Sequence, residues 1–467
     1  MRWTILLHRE GDTQSSQSSG VPLLSIERDD LPDFAQLGLM HREGKCILRN
    51  LQRVMLNQQA QEYFARRRPC TKCDKLRSIK DYRERRLQSL YGVVRLRLPR
   101  FNRCDCEPKS TPCSWLGSEL LPGRTTPEWM AMQAALGARM PYREAAFLLS
   151  AFLPADRLRN HGSIRNQTIR VGSRIALEET VATPNSCPGS VASGSVAIDG
   201  TYVRGHGRDG STKLHVVVGA VKLERRTKSA FAFVQQHKPH QRQLRSMWQK
   251  IGCHSSTPLR VVTDGDTGLH NLVKRSFPGT TTHILDWFHL AMRLNAIERS
   301  IGYGLMRAKQ SPARIRRVER ELESIHHHLW HGDSDIVNWQ IGTLVNELES
   351  TIAPKYLDYF SPLRSTLDKM IDLRKYLMHF QDETISYSIA HHEKQPVSTS
   401  PVESLINRLV NHRMNKRQQM RWSVHGAQSI LQLRVALLNR TLGPIFGQWY
   451  PGFSVSHMIE PTGLQAA

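Results

Sequence analysis

The chain of 467 residues carries 65 Lys and Arg against 41 Asp and Glu, a formal charge of +24. With 39% hydrophobic residues it can bury several cores, which excludes a disordered acidic chain and allows about three domains at roughly 150 residues each. The cationic excess calls for a polyanion: nucleic acid is the commonest, and an anionic membrane surface is the rival.

The longest apolar stretch, Ala145 to Leu153, is nine residues with Ser150 inside it. A membrane span takes about 20. The N-terminal run Trp3 to Leu7 has no cleavage-site pattern after it, so a reducing, cytoplasmic setting close to the nucleoid is expected. There the eight Cys should be thiols or metal ligands.

Taken in order, residues 11–20 are polar and of low complexity, and residues 1–25 are expected to be mobile. A helical pattern follows from Phe34 to Met55 and completes a first region, 1–60. Residues 61–100 hold 13 Lys and Arg against four acids, a net +9. Here Cys70-Thr-Lys-Cys73, the period-2 strand Val94–Leu98 and Cys104-Asp-Cys106 predict a ribbon closed by one Zn²⁺ over 61–125. Cys113 is a reserve ligand, and scattered free thiols are the alternative. Within 126–180, helices are expected at 127–138, 142–152 and 164–177, in a helix-turn-helix-like order that bears Arg165, Arg170 and Arg174. Residues 181–194 read as a linker.

Strand texture follows: Ser195–Val203, Lys213–Leu223 and Ala230–Val234, then a helix, Leu259–Thr263, a helix, and Thr281–Leu285. Three antiparallel strands followed by alternating helix and strand is the order of a ribonuclease-H-like mixed sheet, over 195–290. Residues 291–398 read as wholly helical, 399–445 as a helix with a basic segment, and 446–467 as a tail.

Three acids stand at special places. Asp199 and Asp264 each end an apolar strand core and precede glycine, and Glu403 lies in the first turn of a late helix. Carboxylates converging at one sheet end repel one another unless hard cations neutralise them. Two Mg²⁺ (or Mn²⁺) ions would do so and would activate water or a 3′-hydroxyl against phosphate. The bland alternatives are a strand-ending turn for Asp199, a loop Asp264-Gly-Asp266 that caps the next helix, and a capping box, Ser400-x-x-Glu403. Asn407 and Asn411 share a helical face with Glu403. From Ser404 to Arg440 there is no acid against seven Lys and Arg, among them Arg408, Arg413, Lys416, Arg417 and Arg421, as along a DNA backbone track. Trp287, Phe288, Trp330 and Trp422 read as core residues first, with Trp422 a possible base-stacking residue; the His326–His328 run reads as a solvated helix face.

The segments AIDGTYV (197–203), RVVTDGDTGLHNLV (260–273), HILDWFHLAMRLN (283–295) and SPVESLINRLVNHRMNKRQQMRWS (400–423) resemble the DDE transposases of bacterial insertion sequences. The likeness is to the mutator-like group and its Kra-type family. It implies that Asp199, Asp264 and Glu403 are a catalytic triad and that Asp286 and His289 are a signature pair that orients the metal site. It also implies an all-helical insertion before Glu403. The expected protein is an α/β multidomain enzyme with a ribonuclease-H-like core. It would cleave and join DNA with Mg²⁺, with Zn²⁺ in the ribbon. Its partners would be double-stranded DNA (terminal inverted repeats and target) and further copies of itself, with no membrane. A catalytically inactive DNA-binding relative and a nuclease that cuts without joining are the rivals.

Overall fold

The computed structural model describes all residues except 10–19, 30–33, 107–115, 155–159, 182–192, 207–209, 224–225, 236–239, 360, 416–419 and 454–467. The chain divides into two compact units, residues 1–171 with 440–467, and residues 172–439.

In the first unit, β1 (Arg2–Leu7) and β2 (Val21–Glu27) pair as an antiparallel hairpin. This corrects the expectation of mobility for residues 1–25, of which 10–19 lie outside the described residues. Leu23 is buried, and its carbonyl accepts a 2.8 Å bond from the Asn50 side chain of α1 (His41–Arg67). Glu43 fixes the start of α1 by accepting from the Met40 amide at 2.9 Å while pairing with Arg28 at 2.6 Å. β3 (Ile79–Ser89) and β4 (Gly92–Phe101) form a second hairpin. Strict alternation turns Val94, Leu96 and Leu98 inward against Ala60 and Phe64 of α1. The short helix α2 (Gly117–Leu120) is followed by α3 (Pro127–Arg139), which opens with a Thr126 cap and Pro127. Then come α4 (Tyr142–Phe152) and α5 (His161–Val181), whose residues from Gly172 on belong to the second unit.

The second unit is built on a mixed sheet. Its strands are β5 (Gly194–His206), β6 (Lys213–Leu223), β7 (Arg226–Val234), β8 (Leu259–Thr263) and β9 (Thr281–Leu285), in the order β7-β6-β5-β8-β9. β5, β6 and β7 are antiparallel; β5, β8 and β9 are parallel. The parallel strands are linked by α6 (His240–Lys250) and α7 (Thr267–Ser276), and they bury Val196, Ile198, Val261, Trp248 and Phe277 in one core. From β9 to residue 392 the regular elements are helical: α8 (Trp287–Arg307), α9 (Pro312–His331), α10 (Ser334–Thr351), α11 (Pro362–His379) and α12 (Tyr387–His392). Ser311 and Ser361 cap the Pro-initiated α9 and α11.

The late helix expected from Pro401 is continuous but not regular. α13 (Ser400–Ile406) passes through a π-turn, Asn407–Asn411, into α14 (His412–Met414). The turn leaves carbonyls unpartnered along the axis. Arg434 takes two of them, its Nε donating to Leu409 O at 2.6 Å and its Nη2 to Arg408 O. β10 (Trp422–Ser423) then pairs with the far end of β5, and α15 (Val424–Leu438) covers β7. Amide side chains close that strand's outer edge. Gln428 accepts from Val234 N at 2.8 Å, Gln432 donates to Ala232 O at 2.8 Å, and Asn439 bonds both backbone groups of Ala230. α16 (Leu442–Trp449) belongs to the first unit. Among the described residues no helix is long and apolar enough to cross a membrane.

Gly172 of α5 faces the backbone of α15 so closely that a Cβ would overlap the Ser429 carbonyl. Gly172→Val should therefore lower stability by about 3 kcal/mol, read as a drop in the thermal unfolding midpoint. An unchanged midpoint would show that the helices can move apart without cost.

Candidate active site and cysteine cluster

Strand pairing brings the two aspartates to one place. β5 pairs with β8 from Gly194↔Leu259 to Ala197↔Val262, and Asp199 and Asp264 each follow two residues beyond the last pair. On that side β5 is next paired at Gly205 and His206, by β10, so Asp199 sits where the sheet opens. α13 packs on β5 and β6 and carries Glu403 in its first turn. Burial pushes the Asp199 carboxyl above its ordinary range. The Gly200 amide at 2.6 Å and the charge of His289 oppose this, and the charges of Asp264 and Glu403 add to it. Asp199 thus feels three of the four groups picked out beside it in the sequence. The acids remain open to each other's field rather than bonded. No group of three acids has ligand atoms all within 4.8 Å among the described residues.

The bland alternatives fare differently. Asp266, not Asp264, caps α7, accepting from Gly268 N at 2.7 Å and Leu269 N at 3.2 Å. The alternative capping box does not form. Ser400 is already inside the helix, Thr399 is the cap residue, and among the described residues nothing hydrogen-bonds the Glu403 carboxylate.

Asp286 is fully buried beneath this cluster. Burial alone would raise its pKa. The hydrogen bonds it accepts from His289 Nδ1 (2.7 Å), the Thr399 hydroxyl, Phe288 N (2.9 Å) and Thr399 N (3.1 Å) hold it below the usual range. The same bond to Asp286 raises His289, helped by the charges of Asp264 and Asp199. The Asp286 amide donates to Thr263 O at 2.8 Å, one residue before Asp264. One side chain therefore ties the end of β8, the start of α8 and the start of the Glu403 helix.

Three participants carried no local signal in the sequence. Thr399 acts through its contact with Asp286. Tyr376, on α11, donates to Asp264 O at 2.6 Å. Gly265 makes room for it, with φ +91° and a Cβ position only 2.7 Å from that hydroxyl. His215 lies against Gly200, leaving no space for a side chain there, and stacks on Tyr202 at 4.9 Å. A hydrophobic pattern does not reveal any of these, because each depends on a partner far along the chain.

The basic segment divides. Arg408, Arg421 and Asn407 are exposed, and Lys416 and Arg417 lie outside the described residues. Arg413 corrects the expectation of a DNA contact. It is fully buried, its guanidinium 5.2 Å from the Trp422 ring centre. Trp422 is itself buried and donates to Met414 O at 3.3 Å, so it packs rather than stacks on bases. Asn407, Asn411 and Asn415 form a ladder, with bonds of 2.8 Å and 3.0 Å, that ends on Tyr202 O.

In the first unit, the sulfurs of Cys70, Cys73, Cys104 and Cys106 all lie within 4.8 Å of one another. The close pairs are Cys70–Cys106 at 3.3 Å, Cys73–Cys104 at 3.4 Å and Cys73–Cys106 at 3.6 Å. Four thiolates at about 2.3 Å from a tetrahedral Zn²⁺ stand about 3.7 Å apart, so this set could hold one zinc ion. The Cys70–Cys73 turn points amides at sulfur, and these lower the Cys70 thiol to about 6, that of Lys72 foremost. The single residue between Cys104 and Cys106 does not prevent closure. Cys113 lies outside the described residues.

No family model and no curated protein matches the chain. Among solved structures, a Drosophila P element transposase strand transfer complex aligns at 12% identity over 68% of this chain and 92% of that one, with a TM-score of 0.27. A likeness that low carries no argument about fold or function.

Three outcomes follow. Replacing Cys70 and Cys106 together by Ser should abolish stoichiometric zinc, measured by metal analysis of the full chain, and lower its unfolding midpoint. Asp286→Ala should cost about 3–5 kcal/mol, because it leaves His289 and Thr399 without their acceptor. The pH dependence has a defined sign. The raised His289 contributes stability fully below its ordinary value near 6.5 and loses it as pH rises through the higher folded value. The depressed Asp286 contributes above about 3.9 and is lost as pH falls through its lower folded value. Urea unfolding of His289→Ala across this range should lack the alkaline loss that the parent protein shows.

Proposed function

We propose that the protein is a DDE transposase of the mutator-like group, Kra-type family, that cleaves and joins DNA at the ends of an insertion sequence. The observation that carries this reading is placement: Asp199 and Asp264 each lie two residues beyond the last pair of the adjacent parallel strands β5 and β8, and Glu403 stands in the first turn of α13, which packs on β5. The strand order β7-β6-β5-β8-β9, with helices between Asp264 and Glu403, supports the reading of an interrupted ribonuclease-H-like core.

The three carboxylates fit a pair of hard divalent cations. They are part-buried oxygen donors, and the charges of Asp264 and Glu403 raise the cost of ionising Asp199, which cations would relieve. Such ions, when bound, supply charge neutralisation at phosphate and an activated oxygen nucleophile. Asp199, Asp264 and Glu403 would hold them. Asp286 fixes the Glu403 helix through Thr399 and, through the bond it accepts from Nδ1, raises the pKa of His289. Tyr376 anchors the Asp264 backbone to the helical insertion. Exposed Arg408 and Arg421 supply cations for the DNA backbone beside the acids, and the cysteine set holds Zn²⁺ as a structural ion.

Asp199→Asn, Asp264→Asn and Glu403→Gln keep shape but remove metal-binding charge. Each should lower Mg²⁺-dependent strand cleavage and joining by at least about 100-fold while DNA binding survives or tightens. Glu403→Gln with retained cleavage would sink the assignment. Cleavage without joining in the parent protein would instead mark a nuclease, and binding without either would mark an inactive relative.

A further inference from the structure

The outer face of the β3–β4 hairpin gathers arginines. Alternation sends Leu87 and Val94 into the core, so Arg86 and Arg95 project from the opposite face. The register sets these two directly opposite each other. Like charges at directly opposed positions repel and weaken a hairpin. Two more guanidinium groups come from distant segments. Arg49 arrives on α1, and Arg124 on a segment bridged to β3, where Gln88 N donates to Arg124 O and Thr126 N to Gln88 O, both at 2.8 Å. Arg49, Arg86, Arg95 and Arg124 line one cavity of about 420 Å³ beside Gln88 and Pro154.

Among the described residues no carboxylate lines that cavity. Glu84 is near, 3.6 Å from Arg86 and 3.7 Å from Arg95, and all three side chains are more than half exposed. One screened acid shared by Arg86 and Arg95 does not balance these two and Arg124. The wall is closed at the hairpin tip. Gly92, at φ +110°, brings the turn against Pro154 and Arg49, and a Cβ there would lie 3.1 Å from Pro154 O. Arg49 is held to the same carbonyl at 3.5 Å.

We propose that this four-arginine pocket binds phosphate groups of a nucleic-acid backbone. Guanidinium forks match phosphate oxygens in pairs, and an anion seated among them removes the Arg86–Arg95 repulsion that the hairpin otherwise carries. The choice of a DNA backbone as source rests on the function proposed above; the anion chemistry does not. The pocket lies in the first unit, so it grips the backbone with residues other than those of the carboxylate site.

The test compares the full chain with the triple variant Arg86→Gln, Arg95→Thr, Arg124→Gln, without divalent cation. Binding of a random-sequence duplex across a salt series should weaken, with its log–log salt slope reduced by about three. Without DNA, the variant's thermal midpoint should stay level or rise, because the opposed charges are gone. If the triple variant does not fold, Arg124→Gln alone should reduce the slope by about one. Unchanged affinity and slope would overturn the proposal. So would protection against heat by orthophosphate that the variant loses while binding DNA normally, which would mark a free-phosphate site. A reduced slope in a protein that never cleaves DNA would leave the pocket standing and remove the transposase reading; normal slope in variants of a protein that does cleave would remove the pocket alone.

Discussion

A single buried carboxylate organises the second unit. Asp286 has no access to water, and a bare charge there would be prohibitive. Four hydrogen bonds to its two oxygens, from His289, Phe288 and twice from Thr399, make the ionised form the stable one. Each donor belongs to a different demand of the fold. Phe288 starts α8, His289 faces the acids one turn later, and Thr399 starts the helix of Glu403. The Asp286 amide, bonded to Thr263, fixes the strand end that delivers Asp264. Asp286 and Thr399, 113 residues apart in sequence, are thereby held together at the starts of two helices.

That arrangement explains how repelling acids can coexist at a sheet edge. Burial and the charges of Asp264 and Glu403 raise the cost of ionising Asp199, a cost that the strands and helices must hold in place. The bond to Asp286 raises His289, and the charges of Asp264 and Asp199 add to that rise. The insertion helices contribute a further anchor through Tyr376, so their role extends to the backbone of Asp264 itself.

Much of this was legible in the sequence, and the reason is locality. β6, β8 and β9 occupy the residues that alternation and apolar runs indicated, and the paired cysteines meet because each pair is preset by a short turn. What escaped was non-local. The sequence shows Arg413 as one cation among seven, yet Trp422, nine residues on, gives it a buried ring face. Ser400 and Glu403 have capping-box spacing, yet the pull of Asp286 on Thr399 moves the helix start back by one residue and leaves the Glu403 carboxylate unengaged. The π-turn at Asn407–Asn411 has no signature of its own, because it is sustained by Arg434 from α15. The N-terminal hairpin was hidden by the polar stretch between its strands.

The charge of the chain must accordingly be divided by what each cation touches. Arg413 and Arg434 are structural despite their place in a run without acids; they hold an aromatic ring and a π-turn. Arg408 and Arg421 remain on the surface. Arg86 and Arg95 stand directly opposed across the β3–β4 hairpin and share Glu84. Net charge counts these six alike, although the first two hold parts of the fold and the other four lie exposed, so a run of cations in the sequence does not by itself mark where the surface charge lies.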